Sequence, residues 1–491
     1  MKPTMCPFHA RTNPRRALVA LIALGAIGAG AARMPSARPQ MGGTLRVQMS
    51  ERIASIDPRQ WPSAPAQSAA ADRVDSLIFD RLVKFDEHGS LQPVLAQSWQ
   101  HDEQSKRWEF RLREGVKFSD GTLLTAPIAA LALQQLLGAS FDVSATPDSV
   151  VIQADHSIPD FPMQLATGRY FIFNTGEDNS LTGTGPFRVA DWPAAEGSGR
   201  ASFVANMSCW AGRPFVDKIE LAMGVDFQRQ SNAISFGQAD VVELPASQVR
   251  RALQRGVPTA SSDRVQLFAL VFDVSRPAVQ DAHLRQAISL AINRASIADV
   301  ILQKQAVPAG GLLPNWVSGY AHLFPAASDL PRAKDLLPAS IREHFRSMPL
   351  VLFYDSGDAE ARAIADRVAV NLREVGIMMQ ASGQIADTKS KLSVADLRLV
   401  RLRLTAPDPA RALSDLLNSL GEAPTNLETP EQIYAAERAP IDSYRVIPLV
   451  HVSEDYGLSP QVRDWMAPRW GGWKLEEVWL GPPSAAGGNS P

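Results

Sequence analysis

The sequence predicts an α/β protein of two or three lobes. Length is the first reason: 491 residues, 45% of them hydrophobic and 20% charged, hold far more core than one ordinary domain. The second is the stretch 349–380, "PLVLFYDSGDAEARAIADRVAVNLREVGIMMQ", which reads as strand, turn, helix and strand. Ala361, Ile364, Ala365, Val368, Leu372 and Val375 form its helical stripe, and Gly376 suits the stop. One βαβ unit implies part of a parallel sheet covered by helices. The third is "WEFRLREGVKF" at 108–118, where Trp108, Phe110 and Leu112 alternate with Glu109, Arg111 and Arg113 as in a half-buried strand.

The elements follow in chain order. Arg11, Arg15 and Arg16 precede an apolar run from Ala17 to Ala32 that ends in small residues, the pattern of a secretory signal peptide over 1–32. "GGTLRVQMS" (42–50) reads as a strand and "WPSAPAQSAAA" (61–71) as a small-residue loop. "DRVDSLIFDRLVKF" (72–85) predicts a helix with Asp72 as its cap. The knot Ser119-Asp120-Gly121-Thr122 reads as a turn whose Asp bonds its own backbone, with a general acid or base as the alternative. Thr125 is placed to cap the helix that follows, with Pro127 in its first turn. "DAHLRQAISLAINRASIADVILQ" (281–303) carries the strongest helical period, through Leu284, Ala287, Ile288, Ala291 and Ile292. The tail 481–491 has the composition of disorder.

Composition narrows the function. The formal charge is −2, and about −6 once 1–32, with four basic residues and no acid, are set aside. A mildly acidic chain without basic runs predicts no nucleic-acid partner. Cys209 stands alone beyond the leader, so no internal disulfide is expected, and it reads as a small buried hydrophobe. G-x-S-x-G, H-E-x-x-H, G-x-x-x-x-G-K-[ST] and C-x-x-C do not occur, and the eight histidines are scattered. The expectation is no enzyme, no cofactor and no metal. A hydrolase assembled from distant residues is the alternative that motif searches miss.

Eight spaced stretches, in order, resemble the family 5 extracellular solute-binding proteins of peptide- and nickel-type ABC importers. They are "GGTLRV" with "SIDP", then "LIFDRLVKFDEHGSLQPVLAQSWQ", "WEFRLREGVKFSDGTLLTA", "GTGPFRVADW", "NMSCWAGRPFVDKIEL", "SFGQADVVELP", "DAHLRQAISLAINRASIADVIL", and finally "IPLVHV" with "WKLEEVWL". The resemblance implies a two-lobed periplasmic-binding-protein-like fold (type II). Its first lobe would be 41–82, 183–265 and 446–491, with an extra, shortened subdomain at 83–182, and its second lobe 266–445. It implies a monomer in the periplasm that carries a peptide or other small solute, in the interlobe cleft, to an ABC permease in the inner membrane. A sensor or partner-binding protein uncoupled from transport is the alternative reading.

The resemblance also points to a site. Relatives carry a motif like W-x-A-D-Y-x-D-P whose Asp pairs with a peptide's amino terminus, and in "RLRLTAPDP" (401–409) Thr405 stands in its place. A hydroxyl is a poor partner for a desolvated ammonium. Leu397, Leu399, Arg401, Arg403 and Thr405 share one strand face, which turns cationic toward its end. Arg403, with Arg401, is therefore expected to meet an anionic ligand group. The alternative is that both arginines face solvent or pair with nearby acids. An extended segment before the first helix, matching Gln67, Ser68 and Ala69, is expected to run beside the ligand. Trp61, Trp316 and Tyr354 are candidate cleft aromatics.

Overall fold

A computed structural model describes residues 38–62, 65–193, 199–320, 323–384, 395–422 and 427–482. The predicted leader 1–32 and most of the predicted tail lie outside them. Two sheets dominate. The first has seven strands, in the order 187–191, 200–205, 218–222, 44–48, 241–244, 455–458, 259–261. Thr44–Gln48 runs parallel to both of its neighbours. The second has six strands, in the order 306–308, 446–452, 266–272, 397–403, 350–355, 379–384. A four-stranded antiparallel sheet from 96–154 stands apart from both.

The βαβ reading holds. Leu350–Asp355 and Met379–Gln384 are parallel neighbours. The helix Ala359–Glu374 between them buries Ala361, Ile364, Ala365, Val368 and Leu372 against the second sheet, and Gly376 ends it at φ +87. Arg107–Leu112 is a strand burying Trp108, Phe110 and Leu112.

Four local expectations change. The first helix is Pro65–Ile78, not 72–85; Asp72 lies in its interior, and the chain then runs as the strands Asp80–Arg81 and Val83–Phe85. The run of alanines at 69–71 favours the helix intrinsically although it carries no amphipathic stripe. The end of the helix is crowded. A Cβ on Gly183 would sit 1.9 Å from the Ile78 carbonyl oxygen, so the glycine lets the chain press onto the helix end. The second change is at 281–303: the helix ends at Ala291, and Asn293 starts a new turn by accepting from the Ser296 amide at 2.9 Å. The third is Thr125, which holds the cap position of Ala126–Leu136 without a side-chain cap bond. The fourth is the strand Val446–Val452, expected in the first lobe but hydrogen-bonded into the second sheet. All seven of its residues are buried, which suits a central strand, and Pro448 is accommodated at a bulge.

The chain thus crosses between the sheets twice, at 262–265 and at Ser453–Glu454. The two crossings are bonded to each other, Ser262 N to Glu454 O and Glu454 N to Ser262 Oγ, both at 2.9 Å. They form the hinge of two lobes. The lobes also meet elsewhere: the indole of Trp316 packs 5.6 Å from that of Trp470. A Cβ on Gly89 would lie 2.5 Å from Cβ of Pro407. Among the described residues, no helix is long and apolar enough to cross a membrane.

Candidate functional site: the cleft between the lobes

The opening helix Pro65–Ile78 packs against the strand Leu397–Arg403 across the two lobes. Beside that contact lies a cavity of about 120 Å³. Its first-lobe walls include Ser50, Glu51, Ala69, Arg73, Glu243 and Tyr456; Gln266, Arg401 and Arg403 come from the second, and Glu454 and Asp455 from the hinge.

Its charges form a chain. Arg73, nearly buried on the opening helix, spans Glu243 at 2.7 Å and Glu454 at 2.8 Å. Arg403 Nε reaches the same Glu454 oxygen at 2.8 Å, and Gln266 Nε2 adds a bond at 3.0 Å. Burial would raise the Glu454 pKa, but Arg403 and Arg73 outweigh it and hold the carboxyl down at about 2. Arg401 lies 3.1 Å from Asp358 and 3.3 Å from Glu360, donates through Nε to Gln266 Oε1 at 2.9 Å, and stacks over Phe268. Glu360 in turn accepts the Ser247 amide of the first lobe at 3.1 Å. Burial raises the Glu360 pKa, as it does those of Glu51 and Asp455.

Of the residues expected from sequence, the cavity gathers Ala69, Arg401 and Arg403. Gln67, Ser68 and Ala69 lie in a helix rather than in an extended segment, and Ser68 donates its hydroxyl to the Pro62 carbonyl at 2.6 Å. Thr405 is exposed and hydrogen-bonded to Asp415, away from the cavity walls. Both cleft arginines pair with acids, the alternative that the sequence left open. Trp61 packs on Phe171, while Tyr354 packs against the second-lobe core. Trp316 edges a second cavity, of about 440 Å³, with Tyr320, Phe324, Arg264 and His451.

Sequence reasoning missed Glu51, Arg73, Glu243, Glu454 and Asp455. A signal existed for the last two: an acid pair closely follows a mostly apolar strand, where charge ends up buried. Asp120 is a turn residue, accepting the Thr122 amide at 2.8 Å. Cys209 is half-buried, and burial pushes its thiol up to about 11, so it is no ready nucleophile.

Comparison with known proteins agrees with this architecture. The model of "Bacterial extracellular solute-binding proteins, family 5 Middle" matches residues 90–398. The "Nickel-binding periplasmic protein" of Escherichia coli is 27% identical over 350 residues, covering 63% of this chain and 66% of the relative. The "Probable di/tripeptide-binding protein 5" of Pseudomonas aeruginosa is 24% identical, covering 61% and 65%. The aligned stretches thus span just under two thirds of these curated relatives. Among solved structures, NikA from Staphylococcus aureus superposes with TM-score 0.75 at 15% identity, over 89% of this chain and 99% of that one. AppA from Bacillus subtilis, in complex with a nonapeptide, gives 0.75 at 16%, over 91% and 100%. At such identities the superpositions speak for the fold alone. A family match over more than half the chain, on a two-lobed fold with a hinged cleft, places this chain in the bacterial extracellular solute-binding proteins of family 5.

Proposed function

We propose that this chain is the periplasmic substrate-binding protein of an ABC importer: it captures a small solute between its lobes and presents the closed form to a membrane permease. The single observation that carries the reading is the hinge. Two crossing strands, bonded to one another at Ser262 and Glu454, border a cavity whose walls come from both lobes. Ligand sites favour such interfaces, and hinge closure around a ligand couples binding to shape. Relatives named for nickel, dipeptide and di/tripeptide binding support a solute of small size. In this reading Ala69, Arg401 and Arg403 line the seat, the arginines holding carboxylates in place, while Gln67, Ser68 and Thr405 are not among its lining residues. The protein works as a monomer and performs no turnover.

The test is small-angle scattering of ligand-stripped protein before and after return of a desalted envelope extract. A fall in the radius of gyration at constant mass is expected. An unchanged radius, or conversion of a solute to products, would overturn the reading.

A further inference from the structure

We infer that the interlobe cavity takes the cationic head of an organic solute, an ammonium or guanidinium group, between Glu51 and Asp455. The inference deepens the solute-binding reading and rests on it.

The guanidiniums come first, because among the described residues they are the cations on the cavity wall, and each is already engaged. Arg73 is held by Glu243 and Glu454. Arg403 is held by Glu454 and also donates to the Leu404 carbonyl at 3.2 Å. Arg401 has Gln266, Asp358 and Glu360. An incoming anion would have to displace a buried carboxylate and leave that charge unpaired, which is strongly unfavourable.

The acids are in excess. Three guanidiniums face six carboxylates: Glu51, Glu243, Glu454 and Asp455 on the wall, and Asp358 and Glu360 behind Arg401. Two of the wall acids keep free capacity. Glu51 has no ion pair or side-chain hydrogen bond among the described residues; burial, Glu243, Asp355 and Asp358 oppose its charge, and Arg73 supports it. Asp455 is 3% exposed; its Oδ1 takes the Ser453 hydroxyl at 2.9 Å, and the Ser261 hydroxyl and Arg401 also favour its charge, while its buried Oδ2 has no hydrogen-bond partner among the described residues. A buried carboxylate oxygen without a donor is a rare and unfavourable arrangement, and a ligand N–H answers it.

Size and geometry narrow the cation. A cavity of about 120 Å³ has room to seat a head group. Among the described residues, no three His, Cys, Asp or Glu side chains converge as metal ligands would. That favours a nitrogen cation over a bare metal ion. The carboxylates involved are also not at Thr405, so amine recognition is moved from that strand to the hinge and the first lobe.

The experiment is calorimetric titration of ligand-stripped protein with butylammonium, agmatine and lysinamide, against butyrate, glutarate and butanol. Binding of at least one cation is expected, and Glu51→Gln should weaken it by about 10-fold or more, the size of one lost charge-assisted contact. Asp455→Asn should weaken it similarly; an unchanged melting curve for each variant shows that the fold is kept. Binding confined to anionic or neutral probes, or cation binding indifferent to both substitutions, overturns the inference while leaving solute capture intact. If no probe of any charge binds and scattering shows no closure with extract, both readings fall.

Discussion

Arg403 Nε lies 2.8 Å from Oε1 of Glu454, and this pair stands where the chain crosses from the second sheet to the first. The same oxygen takes Arg73 from the opening helix, so one carboxylate ties both lobes to the hinge. Buried charge of this kind contributes little net stability over an apolar replacement, but breaking it from one side is expensive.

Arg73→Met should therefore destabilise the fold by roughly 3 kcal/mol or more, because Glu454 and Glu243 lose their shared partner inside the protein. Combining it with Glu454→Gln should restore part of that loss. Urea unfolding midpoints of Arg73→Met, Glu454→Gln and the double variant check the coupling; additive losses would show that the residues do not act as a unit.

His451 sets a second expectation, in acid. It is buried on the central strand and bonded through Nε2 to the Leu312 carbonyl at 3.0 Å. Burial lowers its pKa from 6.5 to about 4. Between those values the unfolded chain takes up a proton that the folded chain refuses, so this contribution to stability falls as pH drops from about 6.5 to about 4. The full effect is roughly 3 kcal/mol. The stability difference between wild type and His451→Gln should shift by that order between pH 7 and pH 4. A difference constant with pH would remove His451 from the account.

Glu437 holds the loop at the mouth of the larger cavity. Its Oε1 accepts the amides of Leu312 at 2.6 Å and Leu313 at 2.9 Å, and Tyr320 donates its hydroxyl to Oε2. Glu437→Ala leaves two buried amides unanswered and should cost about 2–4 kcal/mol; Glu437→Gln keeps an acceptor and should cost less. Hydrogen exchange at the Leu312 and Leu313 amides reads the result directly, since both should exchange faster in the Ala variant.

Gly89 reports on lobe contact. It sits at φ +83 against Pro407 of the second lobe, leaving no room for a methyl group. Gly89→Ala should shift the population toward an open form and weaken solute binding. Scattering of the unliganded variant would show a larger radius of gyration; an identical radius would mean that this contact does not limit closure.

Periodicity made much of the fold legible. The βαβ unit at 349–380 and the strand at 107–112 announce themselves because one face of each is apolar. The opening helix did not, since "AQSAAA" has propensity but no stripe, and its end packs against a glycine a hundred residues away. The break at Ile292–Asn293 hides inside an apolar pattern that continues to Ile292. The cationic face of Arg401 and Arg403 follows from alternation alone. Their partners do not: Asp358, Glu360 and Glu454 come from a helix start and a hinge that only the tertiary fold brings near. Thr405 shows the limit of carrying a motif position across, because its hydroxyl turns to Asp415 and the cleft's free carboxylates stand elsewhere.

The central claim is that the hinged cleft holds a small solute, and native mass spectrometry of the chain purified from its own envelope tests it most directly. A bound species is expected in stoichiometric amount, released on denaturation and bearing an ammonium or guanidinium group. A chain that flies without any bound solute, and that takes up none from the extract, would contradict it.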